Sequence, residues 1–189
     1  MEKLNNDMRT FRHDYVNHLG SILALIDGGC TEDAKEYIEK LTNSARSSST
    51  EFHTGNRLAD AILADKSYSC KDFADIEFDG CISDKIDNAD MCIILANALD
   101  NAVEACRKCT GRSVIRINAS LRQGYWIMTM KNPTSVSADY EGIPQTSKED
   151  TLNHGLGLHS IERTVKKYDG TMKVKNENMV FELSMALKI

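Results

Sequence analysis

Leu4, Met8, Phe11, Tyr15, His18, Ile22 and Leu25 recur in alternating steps of four and three. That is the spacing of one helix face with a coiled-coil-like seam. Leu19 and Ile26 widen the stripe. Asp27-Gly28-Gly29 interrupts it, and glycine accepts the left-handed conformation that follows a helix C-terminus. A second stripe of Ala34, Ile38, Leu41 and Ala45 follows Thr31, the expected N-cap. Glu32 and Asp33 stand where they complement the helix dipole. Residues from about 2 to 46 therefore read as a helical hairpin. Two helices leave apolar surface uncovered, so the hairpin is expected to pair with a second copy in a dimeric four-helix bundle.

The stretch SARSSSTEFHTGN, Ser44 to Asn56, is polar and serine-rich and reads as a linker. Beyond it the periods mix. A helix is expected from Asn56 to Ser69, a short strand from Ile76 to Asp79, and a long helix from Ala89 to Lys108. VIRINASL and YWIMTMKN alternate in polarity and meet around Arg122-Gln123-Gly124, a hairpin pattern. Pro133 to His154 shows little periodicity and is long for an ordinary connection. A helix from Leu156 to Tyr168 and two closing strands, TMKVKN and VFELSMALKI, complete the chain. The expected fold class is α+β: the hairpin over residues 1–50, then a two-layer α/β sandwich with a mixed sheet and three helices over 51–189.

Composition narrows the function. The chain has 189 residues, 41% hydrophobic and 27% charged, as in ordinary soluble proteins. A net charge of -5 argues against binding nucleic acid or an anionic membrane surface. No apolar run reaches the roughly 18 residues that would span a bilayer. The polar start carries no signal-peptide pattern, so a cytoplasmic location is expected. Six scattered cysteines read as reduced thiols. The CxxC pair Cys106 and Cys109 lacks a second ligand pair for zinc and reads as two helix-end thiols.

The helix ILANALDNAVEAC carries the clearest chemistry. Ile94, Leu95, Ala98, Leu99, Ala102 and Val103 form its core face, while Asn97, Asn101 and Glu104 share another. Asparagine is a poor helix former, and two in mid-helix are not caps. Such a row is either a solvated face or a set of oxygen donors for Mg²⁺ and phosphate. The stretch resembles the N-box of the GHKL (Bergerat-fold) ATPases, which include sensor histidine kinases, gyrase-type topoisomerases, Hsp90 and MutL. The resemblance implies ATP and Mg²⁺ as cofactors, with Asn101 as the metal ligand. Asn97 stands where the hydrolysing members carry a glutamate. A neutral amide cannot take a proton from water, so Asn97 fits a kinase rather than a hydrolase.

Downstream, TSKEDTLNHGLGLHS places Gly155 and Gly157 at a helix start, where backbone N–H groups and the helix dipole favour phosphate. The stretch is similar to the G2 box of histidine kinases of the quorum-sensing type. By that resemblance Lys148 and His154 reach ATP phosphates, and Pro133 to Asn153 is the ATP lid. Most histidine kinases read adenine with the aspartate of a DxGxG motif. This chain has Lys131-Asn132-Pro133 instead, so Asn132 takes that place by resemblance, accepting from the exocyclic amine and donating to a ring nitrogen.

The two histidines of FRHDYVNHLG separate on the heptad pattern. With Met8 at a, His18 falls at d, inside the bundle, and His13 at f, facing solvent, with Asn17 at c. Metal binding would need both on one face. An exposed, neutral imidazole beside a carboxylate suits nucleophilic work. RHDYVNHL resembles the phosphoacceptor box of the same kinases, which implies His13 as phosphoacceptor, Asp14 as its acid/base partner and Asn17 at a position tied to phosphatase action. The expected function is ATP-dependent autophosphorylation on His13, then transfer to an aspartate of a response-regulator receiver domain. The alternatives are a phosphotransfer scaffold with a non-binding ATPase-like domain and a hydrolysing GHKL ATPase. Because Met1 nearly abuts the phosphoacceptor helix, a longer membrane receptor is the expected source, with membrane attachment only through a sensor region absent from this chain. A native reading frame starting at this methionine would overturn that expectation.

Overall fold

The computed structural model describes residues 16–42, 51–143 and 156–189. The chain divides into two compact units, Met1–Ser47 and Ser48–Ile189.

In the first unit, helix α1 is described over 16–27. It ends as the glycine pair predicts. Gly29 takes φ +74°, Gly29 N–H donates to Ile26 O at 3.0 Å and Cys30 N–H to Leu25 O at 2.8 Å. These are the two bonds of a Schellman turn, which satisfies the last carbonyls of the helix. Cys30 O then accepts from Ala34 N–H at 3.0 Å, so α2 runs Thr31–Thr42. Thr31 is therefore the first helical residue rather than the cap, because the preceding turn closes one residue early and the Cys30 carbonyl starts the next ladder. The expected continuation to residue 46 lies outside the described residues. His18 packs toward α2 as its d position requires. Its Nδ1 lies 2.9 Å from Tyr37 Oη, with the rings 6.1 Å apart and tilted by 51°.

The second unit begins with α3, Arg57–Cys70, whose cap Asn56 accepts from Leu58 N–H and Ala59 N–H. Then come β1 (Ala74–Gly80), α4 (Asn88–Arg107), β2 (Ser113–Arg122), β3 (Tyr125–Pro133) and β4 (Tyr140–Glu141). The unit closes with α5 (Leu156–Lys167), β5 (Thr171–Glu177) and β6 (Val180–Lys188). The six described strands lie in the order β1-β2-β3-β6-β5-β4. Among them only the β1/β2 pair is parallel, as expected where a helix crosses over between the two strands. Both hairpins turn on paired left-handed residues: Gln123 and Gly124, then Asn178 and Met179. That geometry matches the twist of the flanking strands.

One sheet face is covered by helices. Ile115, Ile117, Trp126, Met128, Met130, Leu183 and Leu187 meet Leu63, Ile94, Leu95, Leu99 and Ile161 in one buried core. The other face carries charge, including the ion pairs Arg116–Glu77 and Lys131–Glu182, both at 2.9 Å. This is the two-layer sandwich the alternation predicts. The short strand β4 is hidden in the aperiodic segment. Two residues cannot display a period, and their pairing with Asn176 and Lys175 is tertiary.

Candidate functional site

The site is built on α4. Asp87 starts the helix, its carboxylate accepting from Ala89 N–H at 2.8 Å and Asp90 N–H at 3.3 Å. Asp90, Asn97, Asn101 and Glu104 then follow at steps of seven, four and three, which is one helical stripe. That stripe faces α5, which runs antiparallel to α4. At one end the carboxylate of Asp90 accepts from Lys167 Nζ at 2.6 Å and Tyr168 Oη at 3.0 Å. The Lys167 bond, with Tyr168 beside it, holds the Asp90 carboxyl below the usual carboxylate range. At the other end Gly157 sits directly against the two asparagines. A Cβ on Gly157 would lie 3.2 Å from Asn97 Oδ1 and 3.6 Å from Asn101 Nδ2.

The asparagines are not spent on one another. Asn97 Nδ2 donates back to Ile93 O at 2.7 Å. Asn101 Nδ2 is buried with no partner. Asn101 and Glu104 also line a cleft of about 240 Å³, with Thr134, Val136, Tyr140, Leu158 and Phe181 on its other sides. Lys108 joins the lining, its ammonium 2.9 Å from Glu104. The cleft is therefore apolar on one side and lined by amide, carboxylate and ammonium on the other, which is the chemistry of a site that orients a mixed ligand. Burial pushes the Tyr140 phenol up.

Asn132 ends β3 on the covered side of the sheet, 1% exposed. Its Nδ2 donates to Pro133 O at 2.8 Å, and its Oδ1 is buried without a partner. An unpaired buried acceptor costs about 1–3 kcal/mol, so it marks either strain or a missing donor. An adenine amine is one such donor. The orphaned Asn132 Oδ1 lacks a donor and the orphaned Asn101 Nδ2 lacks an acceptor such as a phosphate oxygen. The two amides thus fit a nucleotide, and an amide oxygen such as that of Asn101 is the kind of hard donor Mg²⁺ takes. Cys106, under Pro133 O at 4.0 Å, has its thiol pushed up to about 11 by burial. That makes it a poor thiolate at neutral pH.

Asn97, Asn101 and Gly157 are thus brought together, and Asn132 leads into the cleft wall. Asn17 lies exposed on α1, its carbonyl accepting from Ser21 Oγ at 3.0 Å. His13, Asp14, Lys148, His154 and Gly155 lie outside the described residues. Three residues that bear on the site escape a reading of the sequence. Asp90 is legible in principle, since it stands seven positions before Asn97 on the same face. Tyr140 and Asn176 are not, because Tyr140 is placed by pairing with β5 and the Asn176 side chain reaches the backbone of Val136 and Ala138, neither of which leaves a period in the sequence.

Residues 86–188, from the turn before α4 to the end of β6, match the family of GHKL domains. The chain belongs to the GHKL family. The match spans Asn97, Asn101, Asn132 and Gly157 of this GHKL domain. Residues 1–53 match the α-helical domain of SpoOB-type sensor kinases. Solved structures share the fold of the domain. The catalytic domain of histidine kinase ThkA is 18% identical with a TM-score of 0.53, over 74% of this chain and 94% of that one. The mycobacterial sensor histidine kinase MprB is 16% identical with a TM-score of 0.54, over 69% and 93%. Full-length ShkA in complex with AMPPNP is 18% identical with a TM-score of 0.52, over 76% and 32%. No curated protein matches the chain. Among the described residues, no helix is long and apolar enough to cross a membrane.

Proposed function

We propose that this chain is the cytoplasmic core of a two-component histidine kinase. Residues 1–50 form the dimerisation and phosphotransfer hairpin, and residues 51–189 the ATP-binding domain. The observation that carries the reading is the set of buried, unpartnered amide atoms on Asn101 and Asn132 beside a cleft of this polarity. The AMPPNP bound to ShkA supports a nucleotide as the ligand.

Asn101 would hold Mg²⁺, which supplies charge neutralisation at the phosphates. Asn132 would accept from the adenine amine. Lys148, His154 and Gly155, with Gly157 at the helix start, would hold the phosphate chain. His13 attacks the γ-phosphorus through a ring nitrogen, the bond to the bridging oxygen breaks, and ADP leaves. Asp14 holds the proton on the other ring nitrogen and stabilises the cation that forms. The phosphoryl group then passes to a receiver-domain aspartate of a response regulator, and Asn17 serves the later hydrolysis of that aspartyl phosphate, in which water takes up the phosphoryl group and inorganic phosphate leaves. The hydrolysing alternative lacks a base at position 97: the Asn97 amide is neutral and its nitrogen is turned to Ile93 O.

The hairpin supports a homodimer. Val16, Leu19, Leu23 and Ile26 recur at heptad spacing and are 49–60% exposed. A second apolar seam of this kind beside the one packed on α2 is what a four-helix bundle buries.

The deciding experiment is incubation with γ-labelled Mg-ATP. Wild type is expected to take up acid-labile label, and His13→Gln to take up none. Label retained by His13→Gln refutes His13 as the acceptor. Absence of label in both, together with absence of Mg-ATP affinity at millimolar nucleotide, selects the scaffold reading.

A further inference from the structure

The wall of the cleft is a segment without secondary structure of its own, and one buried side chain holds it. Thr134 and Val136 line the cleft from this segment. Asn176 lies near the end of β5, 1% exposed, in a strand, where asparagine is disfavoured. Its Nδ2 donates to Ala138 O at 2.6 Å and to Val136 O at 3.1 Å. Both amide hydrogens are thus spent on the segment, while Oδ1 is buried with no partner. Flipping the amide would set that oxygen against two carbonyl oxygens, so the donor demand of the segment fixes its orientation.

Two further bonds from the same hairpin act on the same segment. Thr134 N–H donates to Met179 O at 3.0 Å. Asn178 N–H donates to the Asp139 carboxylate at 3.1 Å. Tyr140, also in the cleft lining, stands opposite Asn176 in the β4/β5 register. The β5–β6 hairpin, with left-handed Asn178 (φ 52°) and Met179 (φ 59°) at its turn, therefore grips residues 134–140 at both ends and in the middle.

We propose that Asn176 is a positioning residue of the nucleotide cleft: it fixes the wall formed by residues 134–138 and does not itself touch the nucleotide. The inference rests on the nucleotide reading above. The wall meets the body of the ligand rather than the reacting phosphorus, so its loss weakens binding more than turnover.

The test compares wild type with Asn176→Asp, which is isosteric but faces both carbonyls with an acceptor. The expected result is a KM for Mg-ATP raised about tenfold, as loss of two hydrogen bonds predicts, with kcat at saturation changed less than about twofold. Amide exchange over 134–140 should quicken while the β2 and β3 amides stay protected. A folded Asn176→Asp with unchanged KM overturns the proposal, as does an equal fall in kcat and kcat/KM. Should Asn176→Asp lose protection throughout the sheet, Asp139→Ala decides, since it removes an exposed staple from the same segment. A raised KM there supports the proposal and an unchanged one overturns it. Wild type without Mg-ATP affinity overturns the nucleotide reading and this inference together, whereas affinity that survives both variants overturns this inference alone.

Discussion

Gly157→Ala separates a site role from a packing role, because the two predict different responses to ligand. Gly157 is the second residue of α5 and its φ is not left-handed, so alanine suits its backbone. Replacing glycine in a helix interior gains about 0.5–1 kcal/mol, and less in the first turn where Gly157 stands. Against this, the new methyl would stand 3.2 Å from Asn97 Oδ1, so that side chain must retreat by a few tenths of an ångström. Asn97 is tied to Ile93 O, and disturbing that bond costs about 0.5–1.5 kcal/mol. The ligand-free domain should therefore melt within about 1 kcal/mol of wild type, which is about 2–4 °C for a domain of this size. Nucleotide is another matter. The methyl pushes Asn97 back and fills the space beside Asn101, the residue proposed to hold Mg²⁺, and a tenfold weaker Kd is a loss of about 1.4 kcal/mol. At a ligand concentration of 100 Kd the wild type gains about 2.7 kcal/mol from binding, and the variant at the same concentration about half of that. Differential scanning fluorimetry with and without Mg-ATP reads both numbers. A variant that melts several degrees early without ligand, yet keeps the full ligand shift, would refute the reasoning and make Gly157 a packing residue only.

Three other outcomes follow from particular contacts. Gly80→Ala should cost at least about 3 kcal/mol and yield little folded protein, since φ is +113° and a Cβ would fall 1.7 Å from Ala119 O; a normal melt would show that β1 and β2 can separate there. Asp90→Asn should lower the melting temperature at pH 7, and the gap from wild type should close in acid. The folded carboxyl titrates below its ordinary value, so its contribution is whole above about pH 4 and lost as pH falls through the folded pKa; a gap constant from pH 7 to pH 3 would contradict the ion pair. Leu23→Lys should turn a dimer into a monomer in light scattering with helicity retained, because Leu23 is 59% exposed and central to the uncovered seam.

Much of the fold and part of the site are legible in the sequence, for physical reasons that differ by element. The α4 core face shows because six apolar residues at helical spacing have no other explanation, and all six are buried. The hairpin shows because alternation on both sides leaves only Arg122-Gln123-Gly124 for the turn, of which the structure uses Gln123 and Gly124. The Thr31 boundary slips by one residue because Cys30, whose side chain gives no capping signal, supplies the carbonyl that starts α2. β4 and the grip of Asn176 are silent, because a two-residue strand has no period and a buried asparagine looks the same in sequence whether it serves backbone or ligand. Gly157 is legible as a glycine that matters, although the expected reason is backbone approach to phosphate. The structure adds close packing of α5 on Asn97 and Asn101.

The stripe Asp90, Asn97, Asn101, Glu104 shows how a site can be told from scaffolding on a single helix. All four residues face the same direction and all four are polar, so periodicity alone treats them alike. Satisfaction of their hydrogen bonds does not. Asp90 is closed off: Lys167 and Tyr168 bond its two oxygens, and Tyr168 Oη also accepts from Asp87 N–H at 3.0 Å. That cluster locks α4 to α5 and sets their register. Two and three turns on, the same interface leaves Asn101 Nδ2 buried and unpaired and keeps a glycine where any side chain would intrude. A fold selected only for stability would not complete the polar solution at one end and leave it unfinished at the other, since an unmet buried amide costs about as much as the Asp90 cluster contributes. The asymmetry along one stripe therefore points to a ligand at the unfinished end. It also explains why the locked end matters: a register error of one residue between α4 and α5 would carry Gly157 away from Asn97 and Asn101 together.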